Sequence, residues 1–224
     1  MSKSIFILLL SMFTIIDNWE VNKITKDDFK LITYKTEDDG HIEAALFEGK
    51  KDLAVIFAHG AIFNKESWYF MAEQLQSKSV SSLSIDFRGY GHSKKGSTDK
   101  KAFDILGAIT YLKEQGYKKI AIVGGSMGGK AILDAIEINK NIEIIKVVLL
   151  SPAAGGIGIS SNSIKKLFVV SENESLFPVV NKIFNESSNP KQLKVFKGNF
   201  HAQHMFKGPY SNELSNLIID FLTN

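Results

Sequence analysis

Residues 119–134 read Lys119-Ile120-Ala121-Ile122-Val123-Gly124-Gly125-Ser126-Met127-Gly128-Gly129-Lys130-Ala131-Ile132-Leu133-Asp134. The opening five residues form a short apolar run rich in β-branched side chains, as expected of a buried strand, and the closing five read as a helix. Between them lies Gly-Gly-Ser-Met-Gly. A serine at a sharp strand-to-helix turn takes strained backbone angles, so its neighbours must be small, and the turn lifts its hydroxyl clear of the sheet. The helix begins directly after Ser126. Its free N–H groups and positive dipole end therefore point at the place where a negatively charged oxygen would develop. The bland alternative is a glycine-rich turn with no chemistry, and the strand before and helix after it argue against that reading. Dinucleotide and P-loop readings of the same glycines fail, because the G-x-G-x-x-G spacing is missing and Ala131 follows Lys130 where a magnesium-binding hydroxyl would be needed.

Working outward, the rest of the chain alternates strand and helix. Strands are expected over Phe29 to Thr36 and His41 to Phe47, joined by the turn-rich Glu37-Asp38-Asp39-Gly40, whose Asp-Gly step signals a hairpin. Leu53 to Ala58 and Val80 to Asp86 read as strands around a helix from Glu66 to Ser77, and a helix from Asp99 to Gln115 leads into the strand at Lys119. After the helix that follows Ser126 come a strand from Ile144 to Leu150, a strand from Leu167 to Val170, a helix from Leu176 to Asn185, a strand from Leu193 to Phe196 and a helix from Ser211 to Leu222. Alternation of this kind implies an α/β fold, a mostly parallel eight-stranded sheet with helices on both faces. No repeat, low-complexity tract or proline-rich linker divides it, so residues 23–224 are expected to form one domain.

Composition narrows the class further. At 224 residues, 44% hydrophobic, 23% charged and a net charge of +3, the chain suits a globular enzyme rather than a disordered one, and its scattered lysines form no nucleic-acid stripe. With no cysteine there is no disulfide, thiolate nucleophile or cysteine-based zinc site. Residues 1–22 stand apart. Met1-Ser2-Lys3-Ser4 precedes an apolar stretch from Ile5 to Ile16, broken only by Ser11 and Thr14, which is too short to span a membrane and resembles the charged and apolar regions of a secretory signal. Thr14-Ile15-Ile16-Asp17 lacks the small-x-small pair of a cleavage site. Export to the periplasm or beyond is the expectation. The alternative is a cytoplasmic or membrane-associated protein that keeps this segment, whose only membrane contact would be through residues 5–16. The sequence carries no signal of oligomeric state.

A serine hydroxyl is a weak nucleophile near neutral pH and needs a base, which needs an orienting acid. His41 lies in the opening hairpin, whereas His59, His92, His201 and His204 fall in loops after strands. His201 is the expected base, because it closes the short loop Lys197-Gly198-Asn199-Phe200 at the carboxyl end of the last strand, with His204 as rival. For the acid, Asp134 and Glu137 ride on the helix after Ser126, Glu143 precedes a strand, and Glu186 trails a helix. Glu172 and Glu174 remain, at the carboxyl edge of the sheet. Glu174 is preferred, because the loop must travel past the strand before a carboxylate reaches an imidazole. Backbone N–H groups of Ala61, in the loop after Leu53 to Ala58, and of Met127, after the nucleophile, are the expected oxyanion donors. His59 is expected to brace that loop by hydrogen bonding, Asp86 and Arg88 to tie neighbouring loops together, and Phe63 and Trp68 to serve as core or pocket wall.

Taken in order, His59-Gly60, Asp86-Phe87-Arg88-Gly89-Tyr90-Gly91-His92-Ser93, Gly124-Gly125-Ser126-Met127-Gly128, Glu174 and Gly198-Asn199-Phe200-His201 resemble the α/β-hydrolase superfamily from Phe29 to the C-terminus. The resemblance implies the α/β-hydrolase fold and a triad of Ser126, Glu174 and His201. It departs from the family at Glu174, where aspartate is more usual. It departs again after Ser151-Pro152-Ala153-Ala154-Gly155-Gly156, where the short polar stretch to Lys166 leaves no room for a sizeable cap domain. An uncapped site is similar to those of esterases, acyl thioesterases and dienelactone-hydrolase-like proteins. The expectation is a serine hydrolase acting on a small-molecule carboxylic ester or thioester through an acyl-enzyme, without cofactor or metal. The alternatives are an acyltransferase, or a non-catalytic protein of the same fold that binds a ligand or partner.

Overall fold

The computed structural model describes residues 28–224. The apolar segment Ile5 to Ile16 and the proposed boundary at residue 22 lie outside the described residues. Eight strands form one sheet: β1 (Lys30–Lys35), β2 (His41–Phe47), β3 (Lys50–Ala58), β4 (Val80–Ile85), β5 (Lys119–Gly125), β6 (Lys146–Leu150), β7 (Lys165–Ser171) and β8 (Lys191–Phe196). Their spatial order is β1-β2-β4-β3-β5-β6-β7-β8. Only the pairs β1/β2 and β2/β4 run antiparallel, and β4, β3, β5, β6, β7 and β8 pair in parallel. Among the described residues the α-helices are α1 (Tyr69–Ser77), α2 (Ala102–Glu114), α3 (Met127–Ile138), α4 (Phe177–Glu186) and α5 (Ser211–Thr223). None of these helices is long and apolar enough to cross a membrane.

The near-continuous apolar strands follow from burial on both faces. Successive side chains point to opposite sides of a strand, so each central strand feeds two cores. Ala54, Ile56, Ile120, Ile122, Val147, Leu149, Phe168 and Val170 join residues of α2, α3 and α4 on one side. Val55, Phe57, Ala121, Val123, Val148, Leu150, Leu167 and Val169 join residues of α1 and α5 on the other. Each Val, Leu, Ile or Phe side chain so removed from water stabilises the fold by about 1.5–3 kcal/mol. That rigid double core is what holds the carboxyl ends of β3 to β8 still enough to carry a site.

The structure differs from the sequence reading at several element ends. β3 starts at Lys50 rather than Leu53, because Lys50 pairs with Val80 across a register shift before regular pairing begins at Ala54 and Ser81. The helix expected from Glu66 divides into a 3-10 turn at Lys65–Trp68 and α1. α2 begins at Ala102 rather than Asp99, because the Thr98 N–H and hydroxyl donate to Asp38 Oδ2 at 3.2 and 2.7 Å and hold the preceding residues out of helical pairing. Residues 151–164 between β6 and β7 contain neither helix nor strand, so no cap domain stands over the carboxyl edge.

Candidate functional site

β5 delivers its last residue, Gly125, and α3 starts at Met127, so Ser126 alone makes the turn, at φ 50° and ψ −111°. Such angles cost a non-glycine residue on the order of 1–3 kcal/mol and persist only where the surroundings fix them. Here the Ser126 N–H donates to Leu150 O at 2.9 Å, while Ser126 O accepts from Lys130 and Ala153 N–H at 3.0 Å each. Close approach explains the glycines. A Cβ on Gly128 would lie 2.2 Å from Ala58 O, and one on Gly124 would lie 2.8 Å from the backbone of both Gly128 and Gly129. The first turn of α3 thus rests directly on the end of β3. Although Ser126 occupies the N-cap position of α3, its side chain makes no capping bond.

The hydroxyl is engaged elsewhere. His201 Nε2 lies 2.8 Å from Ser126 Oγ, and His201 Nδ1 lies 2.7 Å from Glu174 Oε2. An ionised carboxylate only accepts, so Nδ1 carries the ring proton and Nε2 is left to accept from the serine hydroxyl. The Glu174 side chain is 3% exposed and that of His201 is 39% exposed, which buries the acid and leaves the base open to solvent. Glu174 is anchored through its other oxygen, which accepts from the Ser171 N–H at 3.0 Å and from the Ser151 hydroxyl. Ser151 itself sits at φ 43° and also accepts from the Ala202 N–H at 3.3 Å. The Ser171 hydroxyl donates to Phe200 O at 2.6 Å, fixing the residue before His201.

The rival residues lie apart from this chain of bonds. Glu172 is exposed, its carboxylate accepting only a 3.4 Å contact from Asn173 Nδ2. His204 is half-buried with its ring against Phe63, centroids 5.1 Å apart. Trp68 is fully buried and stacks on Phe57 at 5.2 Å. His41 and His92 lie on the opening hairpin and on the exposed loop after β4, where His92 meets Glu43.

Ala61 and Met127 leave the adjacent strands β3 and β5, whose ends pair Ala58 with Gly124. The loops around them are braced from below. His59 is buried, with Nδ1 donating to Gly60 O at 2.8 Å and Nε2 accepting from the Phe87 N–H at 3.2 Å. Tyr90 packs edge-on against that ring at 4.7 Å and reaches Met127 Sδ at 3.6 Å. Asp86 accepts from both the backbone N–H and the ammonium of Lys65, each at 2.7 Å. Burial alone would lower the Lys65 pKa, but hydrogen bonds to Asp86 and Glu43 outweigh it and the ammonium is held charged. The fully buried Arg88 guanidinium bridges Asp38 and Asp104, and its hydrogen bonds hold the Asp38 carboxyl well below the usual carboxylate range. Among the described residues, no group of three or more His, Cys, Asp or Glu side chains gathers as metal ligands.

The His59 brace has a consequence for pH. Burial holds its imidazole below the ordinary value of 6.5, against the opposing pull of Gly60 O and Asp86. The unfolded chain therefore binds this proton more readily than the folded one. The stabilising contribution is complete above about 6.5 and is lost as pH falls through the lowered folded value. Melting temperature measured between about pH 7.5 and pH 5 should fall more steeply for the native protein than for His59→Ala, with the other histidines common to both. Parallel curves would show that His59 titrates alike in both states.

A mostly parallel sheet with a Ser-His-Glu hydrogen-bonded chain at its carboxyl edge defines the class as α/β proteins built for a site at the strand ends. The model of the alpha/beta hydrolase family matches residues 55–202, and the chain belongs to that family. A curated relative, "Putative esterase/lipase 3" of Mycoplasma pneumoniae, is 29% identical over 147 residues, which are 61% of this chain and 51% of that protein. The chain thus spans about half the length of that relative. Among solved structures, the Pyrococcus furiosus esterase Pf2001 superposes with a TM-score of 0.73 at 18% identity, covering 89% of this chain and 93% of that one. The esterase EaEST of Exiguobacterium antarcticum gives a TM-score of 0.71 at 13% identity, covering 86% and 99%. These two likenesses speak to the fold alone.

Sequence reasoning passed over Ser151, Ser171 and Gln203. Ser151 was legible only as the small polar residue directly after β6, and Gln203 only as a polar residue two positions past His201. Both act on residues far away in the chain.

Proposed function

We propose that this protein is a serine hydrolase of carboxylic esters or thioesters. The observation that carries the reading is the continuous bond path Ser126 Oγ, His201 Nε2, His201 Nδ1, Glu174 Oε2, at 2.8 and 2.7 Å. Ser126 Oγ attacks the acyl carbon as its proton passes to His201 Nε2, and the imidazolium so formed is held by Glu174. The carbonyl oxygen, now negative, receives the N–H groups of Ala61 and Met127 at the positive end of α3. Collapse breaks the C–O or C–S bond, and His201 returns the proton to the leaving group. Water, activated by the same base, then releases the acid and frees Ser126. Ile62, 78% exposed, follows Ala61 directly and lends the surroundings of the oxyanion donors an apolar surface suited to an acyl or alkyl group.

The test is a panel of 4-nitrophenyl esters of increasing acyl length beside the matching thioesters, read as released nitrophenolate and thiol. Turnover of at least one member, with a fluorophosphonate adduct on the protein, is expected. Inertness toward the whole panel and the probe together would remove the hydrolase reading.

The acid can be tested separately. Glu174→Gln keeps size but cannot hold the imidazolium or its tautomer, and should cost on the order of 10²-fold or more in kcat while the protein still folds. Glu172→Gln, at an exposed position, should be nearly silent. A large loss at Glu172 would move the acid two residues back, and no loss at either would leave a Ser-His dyad.

A further inference from the structure

Gly60, the residue before the oxyanion donor Ala61, is gripped at both of its backbone polar groups. Its N–H donates to Gln203 Oε1 at 2.6 Å, and its carbonyl accepts from His59 Nδ1 at 2.8 Å and from the Phe63 N–H at 3.1 Å. The Gly60 carbonyl and the Ala61 N–H share one planar trans peptide, so fixing the carbonyl on one side fixes the N–H on the other. Gln203 fixes the preceding peptide plane. Together the two bonds leave Gly60 little rotation, and the direction of the Ala61 N–H follows.

Gln203 also reaches the second half of the same device. A Cβ on Gly60 would lie 3.2 Å from Gln203 Oε1, and a Cβ on Gly125 would lie 3.2 Å from Oε1 and 3.4 Å from Gln203 Cγ. The buried amide therefore fills a slot between the end of β3 and the turn that carries Ser126, and both walls of that slot are glycine. Its orientation is set from the far end, where Nε2 donates to Ser67 Oγ at 2.6 Å. Because Gln203 lies two residues after His201, the loop that carries the base also carries the side chain that grips the oxyanion loop.

We infer that Gln203 is a positioning residue for the oxyanion hole, acting through Gly60 on the Ala61 N–H and tying its placement to that of His201. The inference rests on the serine-hydrolase reading. It differs from a packing role in what it makes sensitive: stabilisation of the negative oxygen, rather than binding of the ground state.

The experiment compares Gln203→Met, which keeps volume and removes both hydrogen bonds, with the native protein on a 4-nitrophenyl ester and on the corresponding thionoester, whose sulfur accepts hydrogen bonds poorly. On the oxo ester kcat should fall by on the order of tenfold to 10²-fold with KM little changed, less than outright loss of a donor usually costs. On the thionoester the loss should be several-fold smaller. Ser67→Ala releases the other end of the amide from a half-exposed position, and should give the same oxo-selective loss in milder form even if Gln203→Met does not fold. Equal losses on both substrates, or native activity in a folded Gln203→Met protein, would overturn the role of Gln203 and leave the hydrolase reading intact. A native protein inert to all esters and to fluorophosphonate would overturn both.

Discussion

Ser126→Ala should abolish ester turnover and fluorophosphonate labelling together, while the melting temperature stays within a few degrees of the native protein's. Alanine keeps the Cβ and the backbone bonds to Leu150, Lys130 and Ala153, so the turn retains its supports. What disappears is the only oxygen within reach of His201 Nε2 in this chain of bonds. Neither Ser151 nor Ser171 can substitute, since the hydroxyl of the first is spent on Glu174 and that of the second on Phe200 O. Any residual activity would sit orders of magnitude below the native rate. Labelling of the alanine protein at native speed would place the nucleophile elsewhere.

His201→Ala should lower kcat by on the order of 10⁴-fold or more, which at 1.36 kcal/mol per decade corresponds to about 5 kcal/mol of lost transition-state stabilisation. In the proposed mechanism one ring performs both proton transfers, so its loss is large, and without it Glu174 is left a buried carboxylate with no ring beside it. His204→Ala should stay within about tenfold of native, since its ring packs on Phe63 and its N–H serves only to close a turn onto His201 O at 2.9 Å. Kinetics on the two variants side by side decide the matter. The reverse ranking would transfer the base to His204 and require the loop after β8 to be arranged differently in the working enzyme.

These expectations share one structural cause. Ser126, Ser151 and Ala202 all hold positive φ, at 50°, 43° and 46°, and all three lie within one hydrogen-bonded group with Glu174 and His201. Strain gathered at one edge of a sheet is tolerated because the two cores beneath it are closely filled. Beside the turn after β5, loops after five other strands converge there, and each is tied to a neighbour by a buried or half-buried polar contact: His59 to Phe87, Asp86 to Lys65, Ser151 to Glu174, Ser171 to Phe200 and Gln203 to Gly60. A site assembled this way needs no cap to be ordered, which agrees with the lack of helix or strand in residues 151–164.

Much of this was legible in the sequence, wherever the physics is local. The strand, the glycine-flanked serine and the helix of residues 119–134 announce their turn because only small neighbours fit it, and the alternating apolar runs announce a parallel sheet buried on both sides. The choice of His201 and Glu174 followed from chain order and from which loops leave the carboxyl ends of strands, a rule of topology rather than of contact. Other features needed the folded molecule. That β4 lies between β2 and β3, that Asp38 holds Thr98 and delays α2, and that Gln203 grips Gly60 across 143 positions of sequence are all decided by pairings between distant segments. Local propensity carries no trace of such pairings, because the free energy that selects them exists only once both partners have been brought together and their water removed.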